Sequence, residues 1–539
     1  MLNNKNSHIT IPVRHGLLLP LLAAMTALSA LPANAKRASE NDVPRLVVSI
    51  LVDQLRSDYM QAFAPLYGND GLRRLLSEGQ IYTQAEIPHA GTDRAAAATT
   101  LITGAMPSDH GIIGMEWLNR ETLRPVFCVD DKEVQGVGSL SPSSPKQLLV
   151  TSIGDELKVA TEGTALVYSI APFRDAAVLL GGHAADGAYW IDETTGRWCT
   201  SSYYGALPSW ISYRNTESIL PDATNQVWKP QNAHVGNFSY FLSRGVREPF
   251  VHRFEGLRAV RDILTTGLIN DEVGKTAQLC IEKSQLGTDE TPDFLSITLY
   301  AGTYLHRPVN EVAMEVQDTY VRLDHALADI LSAIDKKVGL QRALIVLTST
   351  GTSEEEAGDL SPYRIPTGTF DIERAAGLLD MYLAALHGAG KYVLTSSGTQ
   401  LFFDRKLIED KALSLPTILN EAAVFLQQLS GVKDIYTSTR LIEGAWTPGI
   451  SRYRAAYHAE RSGDLRIVVS PGWRLKDNNS RPLWREAGVP FPIIFFGSNL
   501  TATTISTPTT IDYIAPTICQ AIRIRAPNAC AAKPLSIIK

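Results

Sequence analysis

Two hydrophobic patterns alternate along the chain. Short, nearly continuous apolar runs at 46–53, 294–299 and 343–348 are bounded by polar or turn-forming residues, which predicts buried strands. Between them, apolar residues recur at helical spacing, most regularly over 311–334. Alternation of buried strands with amphipathic helices favours a mainly parallel sheet covered by helices on both faces. The pattern therefore predicts an α/β fold.

Further apolar runs predict additional strands, and two long regions interrupt the alternation of strands and helices. The runs at 165–170 and 176–180 predict two more strands. Those at 465–469 and 492–497 predict that the chain returns to the main sheet near its end. Two long regions break the alternation, and we predict that they are insertions that cap the sheet. They cover about residues 185–285 and 364–445.

The first strand delivers a carboxylate to its C-terminal end, at Asp53. The stretch 91–101 predicts a helix that begins with Thr92 or Asp93 as its N-cap. A strand that ends in a carboxylate near a helix N-terminus is a common way to build an anion or metal site. Arg94 is unusual in this place, because the positive end of a helix dipole disfavours a cation in the first turn.

The N-terminal stretch has the pattern of a secretory signal peptide. Lys5 and Arg14 precede an apolar run over 16–31, and Ala33-Asn34-Ala35 follows as a small-x-small cleavage pattern. We therefore expect residues 1–35 to be removed, leaving a mature domain of residues 36–539 without a transmembrane segment. The alternative is an uncleaved membrane anchor, for which the run is short. The expected location is the periplasm.

Charge and cysteine content narrow the candidate chemistry. The net charge is −6 and the sequence has no basic stripe, which argues against a nucleic-acid partner. An odd number of cysteines, five, leaves at least one without a partner within the chain. Cys519 and Cys530 lie near each other in a loop-rich tail, so they are the candidates for a disulfide.

A series of short motifs runs through the chain. They are Val52-Asp53-Gln54-Leu55-Arg56; Thr103-Gly104 with Pro107-Ser108-x-His110-Gly111; Ile153-Gly154-Asp155-Glu156-Leu157-Lys158; Gly182-His183-x-x-x-Gly187-Ala188-x-Trp190; Asp192-x-Thr194-Thr195-Gly196; Asp318-Thr319-Tyr320-x-Arg322-Leu323-Asp324; and Arg461-Ser462-Gly463-Asp464. In order and coverage they resemble the alkaline phosphatase superfamily, in particular the secreted bacterial alkaline phosphatases allied to nucleotide pyrophosphatase/phosphodiesterases. The resemblance implies an αβα sandwich with a mainly parallel central sheet and inserted cap regions.

The resemblance also implies a set of catalytic positions. Active members of the superfamily hold two zinc ions at the carboxyl edge of the sheet, and a Thr or Ser at a helix N-terminus attacks phosphorus. The resemblance places the first metal ligand at Asp53, the nucleophile at Arg94, the substrate-binding amide at Met115, and the other metal ligands at Thr303, Arg307, Thr350, Gly351 and Arg481.

Most of these positions have lost the residue type that the chemistry requires. Among the six metal-ligand positions, Asp53 alone keeps its type, and Arg94 cannot act as a nucleophile because a guanidinium stays protonated. The sequence has no His after His458. Since a zinc site needs three or four N, O or S ligands, we expect neither zinc nor another cofactor.

Two functions follow as hypotheses. The first is a catalytically inactive, exported member of the superfamily that binds an anionic ligand or a protein partner. The second is a metal-dependent phosphomonoesterase or phosphodiesterase with a rebuilt site. The sequence identifies neither the ligand nor the oligomeric state.

The arginines at the degenerate positions have two interpretations. If the fold brings Arg94, Arg307 and Arg481 together near Asp53, they replace the charge of the metals and bind an anion, with Arg174 as a further candidate. Alternatively the pocket has collapsed, and the arginines pair with Asp53 and other acids. Arg174 is equally explained by a surface ion pair with its neighbour Asp175.

Overall fold

The computed structural model describes residues 43–236, 249–353, 363–477 and 489–537. The predicted signal peptide, residues 1–35, lies outside these ranges. In chain order, the strands are β1 (Leu46–Asp53), β2 (Gln80–Glu86), β3 (Glu116–Leu118), β4 (Pro125–Phe127), β5 (Gly136–Val137), β6 (Val167–Ile170), β7 (Gly187–Ile191), β8 (Trp198–Ser201), β9 (Val227–Trp228), β10 (His252–Arg253), β11 (Asp293–Tyr300), β12 (Ala343–Ser349), β13 (Gly368–Asp371), β14 (Val393–Ser397), β15 (Gln400–Phe403), β16 (Val432–Thr437), β17 (Leu465–Val469), β18 (Trp473–Lys476), β19 (Phe491–Gly497), β20 (Thr503–Ile505) and β21 (Thr509–Thr510).

The helices pack mainly around the sheets that these strands form. In chain order they are α1 (Ser57–Ala62), α2 (Leu72–Glu78), α3 (Arg94–Thr103), α4 (Pro107–His110), α5 (Ile153–Ala160), α6 (Arg174–Gly181), α7 (Ser209–Glu217), α8 (Ala259–Ile263), α9 (Leu268–Lys283), α10 (Ala313–Lys337), α11 (Ile372–His387), α12 (Arg405–Asp410), α13 (Leu415–Leu426), α14 (Ser438–Ile442), α15 (Ile450–Ala455) and α16 (Ile514–Ala521).

A mixed sheet of eleven strands forms the centre of the described chain. Its order is β20-β2-β19-β12-β1-β11-β6-β7-β8-β5, with β21 also paired to β2. The five strands from β12 to β7 are parallel, whereas β19 and β8 join the two sides in antiparallel orientation. Every residue of β1, β11 and β12 is buried, as expected for strands with both faces covered. One apolar core lies on each face of this sheet. The predicted α/β fold with a mainly parallel central sheet is confirmed.

A second, antiparallel sheet has the order β14-β15-β17-β16. Helices α11 and α13 cover it with a separate apolar core. The prediction that 465–469 returns to the main sheet is wrong, because this run is β17 and pairs with β15 and β16. An apolar run shows that a strand is buried, but it does not show in which sheet the strand lies.

The predicted strand at 176–180 is also wrong. These residues belong to helix α6, which begins at Arg174 and buries Asp175 in its first turn. Five apolar residues in succession suit a buried strand or a buried helix equally, and helix α6 is buried along most of its length. This difference matters for the site described below.

Two further predictions concern membrane-spanning helices and a disulfide bond. Within the described residues, no helix has the length and apolar character needed to cross a membrane. All five cysteines lie in the described chain and all are free thiols, so Cys519 and Cys530 do not form the bond that their spacing suggested.

The buried carboxylate of Asp464 ties the second sheet to the β3–β4 hairpin. Asp464 is fully buried and accepts hydrogen bonds from Arg405, from the Phe403 backbone and, at 3.2 Å, from Arg120. Arg120 also donates to the Ser462 carbonyl, so the hairpin is held at two adjacent points. This contact involves the Arg461-Ser462-Gly463-Asp464 motif of the sequence.

We expect Asp464→Asn to lower the free energy of unfolding by about 2–3 kcal/mol, since it removes the charged acceptor for two guanidinium groups. Asp434→Asn is the matched control: its carboxylate is 35% exposed and pairs with a single arginine, Arg440. That change should cost less than about 1 kcal/mol. Urea denaturation measures both values, and equal losses would contradict the role assigned to Asp464.

Candidate functional site

Strand register brings the first site residues together. In the parallel pairing of β1 with β12, Val52 lies opposite Ser349, so Thr350 follows directly beside Asp53. The Thr350 hydroxyl donates to Asp53 Oδ1 at 2.9 Å. It also accepts from the Gln54 backbone N–H at 2.9 Å. Position 350, where the resemblance implies a metal ligand, therefore serves as a neutral hydrogen-bond partner of Asp53.

Helix α3 brings Arg94 to the same place. Asp93 is its N-cap and accepts from the Ala96 backbone N–H at 3.0 Å, while its other oxygen accepts from the Met115 N–H at 2.5 Å. All ten residues of the helix are buried, including Arg94. Burial raises the pKa of Asp93 to about 6, and the nearby charge of Asp175 adds to this shift.

The guanidinium of Arg94 lies between two buried carboxylates. Its Nη1 donates to Asp53 Oδ2 at 3.1 Å. Its Nε and Nη2 donate to the two oxygens of Asp175, at 2.9 and 3.0 Å, in a bidentate pair. Asp53 is 0% exposed and Asp175 2%. The acids offset the unfavourable helix dipole, which explains why a cation is stable in the first turn.

Two apolar side chains complete the walls around Arg94. Its guanidinium carbon lies 3.7 Å from the centre of the Phe173 ring, in a cation–π contact. Its Nη2 also lies 3.4 Å from the sulfur of Met115, the residue at the position of the substrate-binding amide. We call Asp53, Arg94, Phe173, Met115 and Asp175 the Arg94 cluster. Removing one partner of such a buried pair typically costs about 3–5 kcal/mol.

The other predicted positions have different surroundings. Thr303 is buried, whereas Arg307 is exposed and pairs with Glu311 at 2.7 Å. Between them, Leu305 and His306 both have positive φ, at 51° and 57°. Arg174 pairs with Asp130 at 2.8 Å rather than with its neighbour Asp175. Arg481 lies outside the described residues, so its relation to Asp53 stays a prediction.

Gly351 stands where the resemblance implies an imidazole ligand, and its surroundings exclude a side chain. Its φ is +62°, in the left-handed region that favours glycine. A Cβ atom at this position would lie 2.5 Å from the Phe491 ring and 2.8 Å from Ile87. Neither neighbour is the end of a flexible polar side chain, so histidine does not fit here without movement of the core.

The residues present do not fit the zinc ions that the family resemblance implies. A zinc site needs three or four N, O or S ligands, and the positions around Asp53 hold a hydroxyl, a glycine and a guanidinium. Within the described ranges, no group of three or more His, Cys, Asp or Glu side chains is arranged to hold a metal ion.

A second polar network, which joins Thr100 of helix α3 to two buried histidines, was not predicted from the sequence. His110 Nδ1 accepts from the Ile112 N–H at 3.1 Å, so His110 Nε2 carries the proton and donates to the Thr100 hydroxyl at 3.2 Å. Thr100 in turn donates to His89 Nε2 at 3.0 Å. His89 Nδ1 therefore carries its proton toward Thr92, at 3.3 Å. Both imidazoles are neutral in this arrangement.

The main residue that sequence reasoning missed in the site is Asp175. It is separated from Arg94 by 81 positions, and the run after it was assigned to a strand. A helical assignment of 174–181 would have placed Asp175 in the first turn of a buried helix, where an acidic side chain is favoured.

The fold defines an alkaline-phosphatase-like protein, in which the Arg94 cluster lies at the carboxyl end of strand β1. A family model for type I phosphodiesterase / nucleotide pyrophosphatase matches residues 47–489, so the chain belongs to that family. It is 29% identical over 514 residues to alkaline phosphatase PafA of Elizabethkingia meningoseptica, covering 92% of this chain and 94% of the relative. It is 28% identical to alkaline phosphatase PhoV of Synechococcus elongatus, covering 92% of each chain.

A solved structure agrees with these matches. The crystal structure of wild-type alkaline phosphatase PafA superposes with a TM-score of 0.79 at 28% identity, covering 92% of this chain and 98% of that one. The superfamily to which the sequence motifs pointed is confirmed.

The His89–Thr100–His110 network makes stability depend on pH. Burial lowers the pKa of His89 from 6.5 to about 3, aided by Arg452 and Arg466, and lowers that of His110 well below 6.5. At a pH between the lowered pKa of a folded histidine and about 6.5, the unfolded chain binds more protons than the folded chain. Each histidine therefore contributes stability that is lost as the pH falls below about 6.5, by about 1.4 kcal/mol per pH unit.

We expect His89→Gln to reduce the slope of unfolding free energy against pH by about 1.4 kcal/mol per unit between pH 4 and 6. The comparison with wild type is needed because Asp93, with its pKa raised to about 6, has the opposite slope in this range. His234→Gln, at an exposed position, is the control and should leave the slope unchanged. Urea denaturation over this pH range measures the effect, and equal slopes for His89→Gln and wild type would contradict it.

Proposed function

We propose that this chain is a catalytically inactive, exported member of its phosphatase family, in which a buried ion cluster replaces the catalytic centre. The observation that carries the proposal is the bidentate pair between Arg94 and Asp175. An arginine stands at the position of the nucleophile, and its donors face Asp175 and the remaining metal ligand, Asp53. A permanently protonated group can neither attack phosphorus nor accept a proton from water.

The neighbouring positions support the same proposal. Thr350 bonds to Asp53, Gly351 has no room for a ligand, and Arg307 pairs with Glu311 at the surface. The protein is thus proposed to act by binding, without zinc or another cofactor, in the periplasm. An anionic small molecule and a protein remain the alternative partners.

A second candidate function is a phosphoric ester hydrolase with a rebuilt site. The names of the relatives favour it, since PafA and PhoV are both alkaline phosphatases and match this chain over nine-tenths of its length. It would require a nucleophile and metal ligands other than those at the family positions.

Zinc content and turnover separate the two candidates. We expect purified wild-type protein, supplied with zinc, to retain less than one zinc per chain and to hydrolyse p-nitrophenyl phosphate no faster than a heat-inactivated sample. Elemental analysis and a chromogenic assay provide these measurements. Stoichiometric zinc together with turnover that disappears in Asp53→Ala would establish the hydrolase instead.

Arg94→Thr is the informative variant, because it restores the hydroxyl at the nucleophile position and nothing else. We expect it to remain without turnover, since the metal that would activate the hydroxyl still lacks its ligands. Hydrolysis by this variant above the heat-inactivated background would show that Arg94 alone had blocked a functional centre.

A further inference from the structure

The Arg94 cluster has the chemistry of a ligand site that the chain itself occupies. Asp175 accepts from two guanidinium nitrogens through both of its carboxylate oxygens, and Asp53 adds a third acceptor. A planar, forked cation matches this set of acceptors, whereas a spherical ion does not use it fully. The geometry thus selects for the guanidinium group and not only for positive charge.

The apolar walls sharpen this selectivity. Phe173 covers one face of the guanidinium at 3.7 Å, and the Met115 sulfur lies at its edge. A guanidinium is weakly hydrated and stacks on aromatic rings, so it tolerates such walls. A zinc or magnesium ion would need nitrogen or oxygen ligands in the places that these two side chains occupy.

Burial makes occupancy of the site important for the stability of the fold. Asp53 and Asp175 are 0% and 2% exposed, and helix α3 is covered along its whole length. Two carboxylates in this environment are strongly destabilising unless a cation lies between them. The cation that the relatives' fold accommodates as metal is thus replaced here by a side chain that is part of the chain.

We infer that the space occupied by the Arg94 side chain is a guanidinium-binding site, which will bind free guanidinium cations when the side chain is removed. This inference rests on the proposed replacement of the catalytic centre. It specifies the ligand class of the site as planar, hydrogen-bonding monocations and excludes divalent metals and phosphate.

The test is chemical rescue of Arg94→Ala. Its melting temperature is measured with millimolar guanidinium chloride or methylguanidinium chloride, far below the molar concentrations that denature proteins, against equal sodium chloride. We expect a saturable rise that restores at least half of the melting temperature lost on truncation. Ammonium and zinc, tested in the same way, should give no such rise.

Two controls test whether the rise in melting temperature comes from guanidinium bound at this site. Wild-type protein should show no saturable rise, because Arg94 already occupies the space. In Arg94→Ala/Asp175→Asn the forked acceptor is lost, and the rise should disappear. If Arg94→Ala does not accumulate as folded protein, the yield of refolding with and without guanidinium provides the same comparison.

The inference is overturned if guanidinium gives no saturable rise in Arg94→Ala, if the double variant is rescued equally, or if zinc rescues better than guanidinium. None of these measurements uses turnover. Hydrolysis by the wild-type protein would therefore refute the proposed function, whereas failure of rescue would refute only the ligand class of the site.

Discussion

Two buried carboxylates that share one guanidinium are the interaction on which this region of the fold depends. Asp53 ends strand β1 of the main sheet, and Asp175 lies in the first turn of helix α6. Arg94 joins both to the first turn of helix α3. Because a buried charge is tolerated only with a partner, the strand and the two helices are fixed relative to one another by the same three side chains.

This arrangement keeps the architecture of a catalytic centre while changing what its parts do. In active members of the superfamily, the resemblance implies that the carboxyl edge of the sheet holds ions that come from solution, so that occupancy depends on metal supply and pH. Here the cation is covalently part of the chain and stays charged at any physiological pH. Under the proposed function, the site has a permanent cation and lacks the open coordination position that metal catalysis requires.

The sequence predicted the part of this picture that local pattern controls. The buried strands at 46–53 and 343–348, an N-cap at Thr92 or Asp93, of which the structure has Asp93, and the position of Arg94 beside Asp53 follow from periodicity and from family spacing. Asp175 was missed because five apolar residues do not distinguish a helix from a strand, and because contacts between distant segments leave no local signal. The sheet to which 465–469 belongs was unpredictable for the same reason. The surface pairing of Arg307 with Glu311 lies in the irregular segment before helix α10, and family spacing does not reveal it.

Gly351 determines whether the chain can accept an imidazole at the position where the family resemblance implies one. A histidine there meets Phe491, a fully buried residue of the neighbouring strand β19. Room for it would require a smaller side chain at 491, and that change would weaken the core. Under the proposed function, a single substitution therefore does not rebuild this ligand position, because packing and coordination would have to change together.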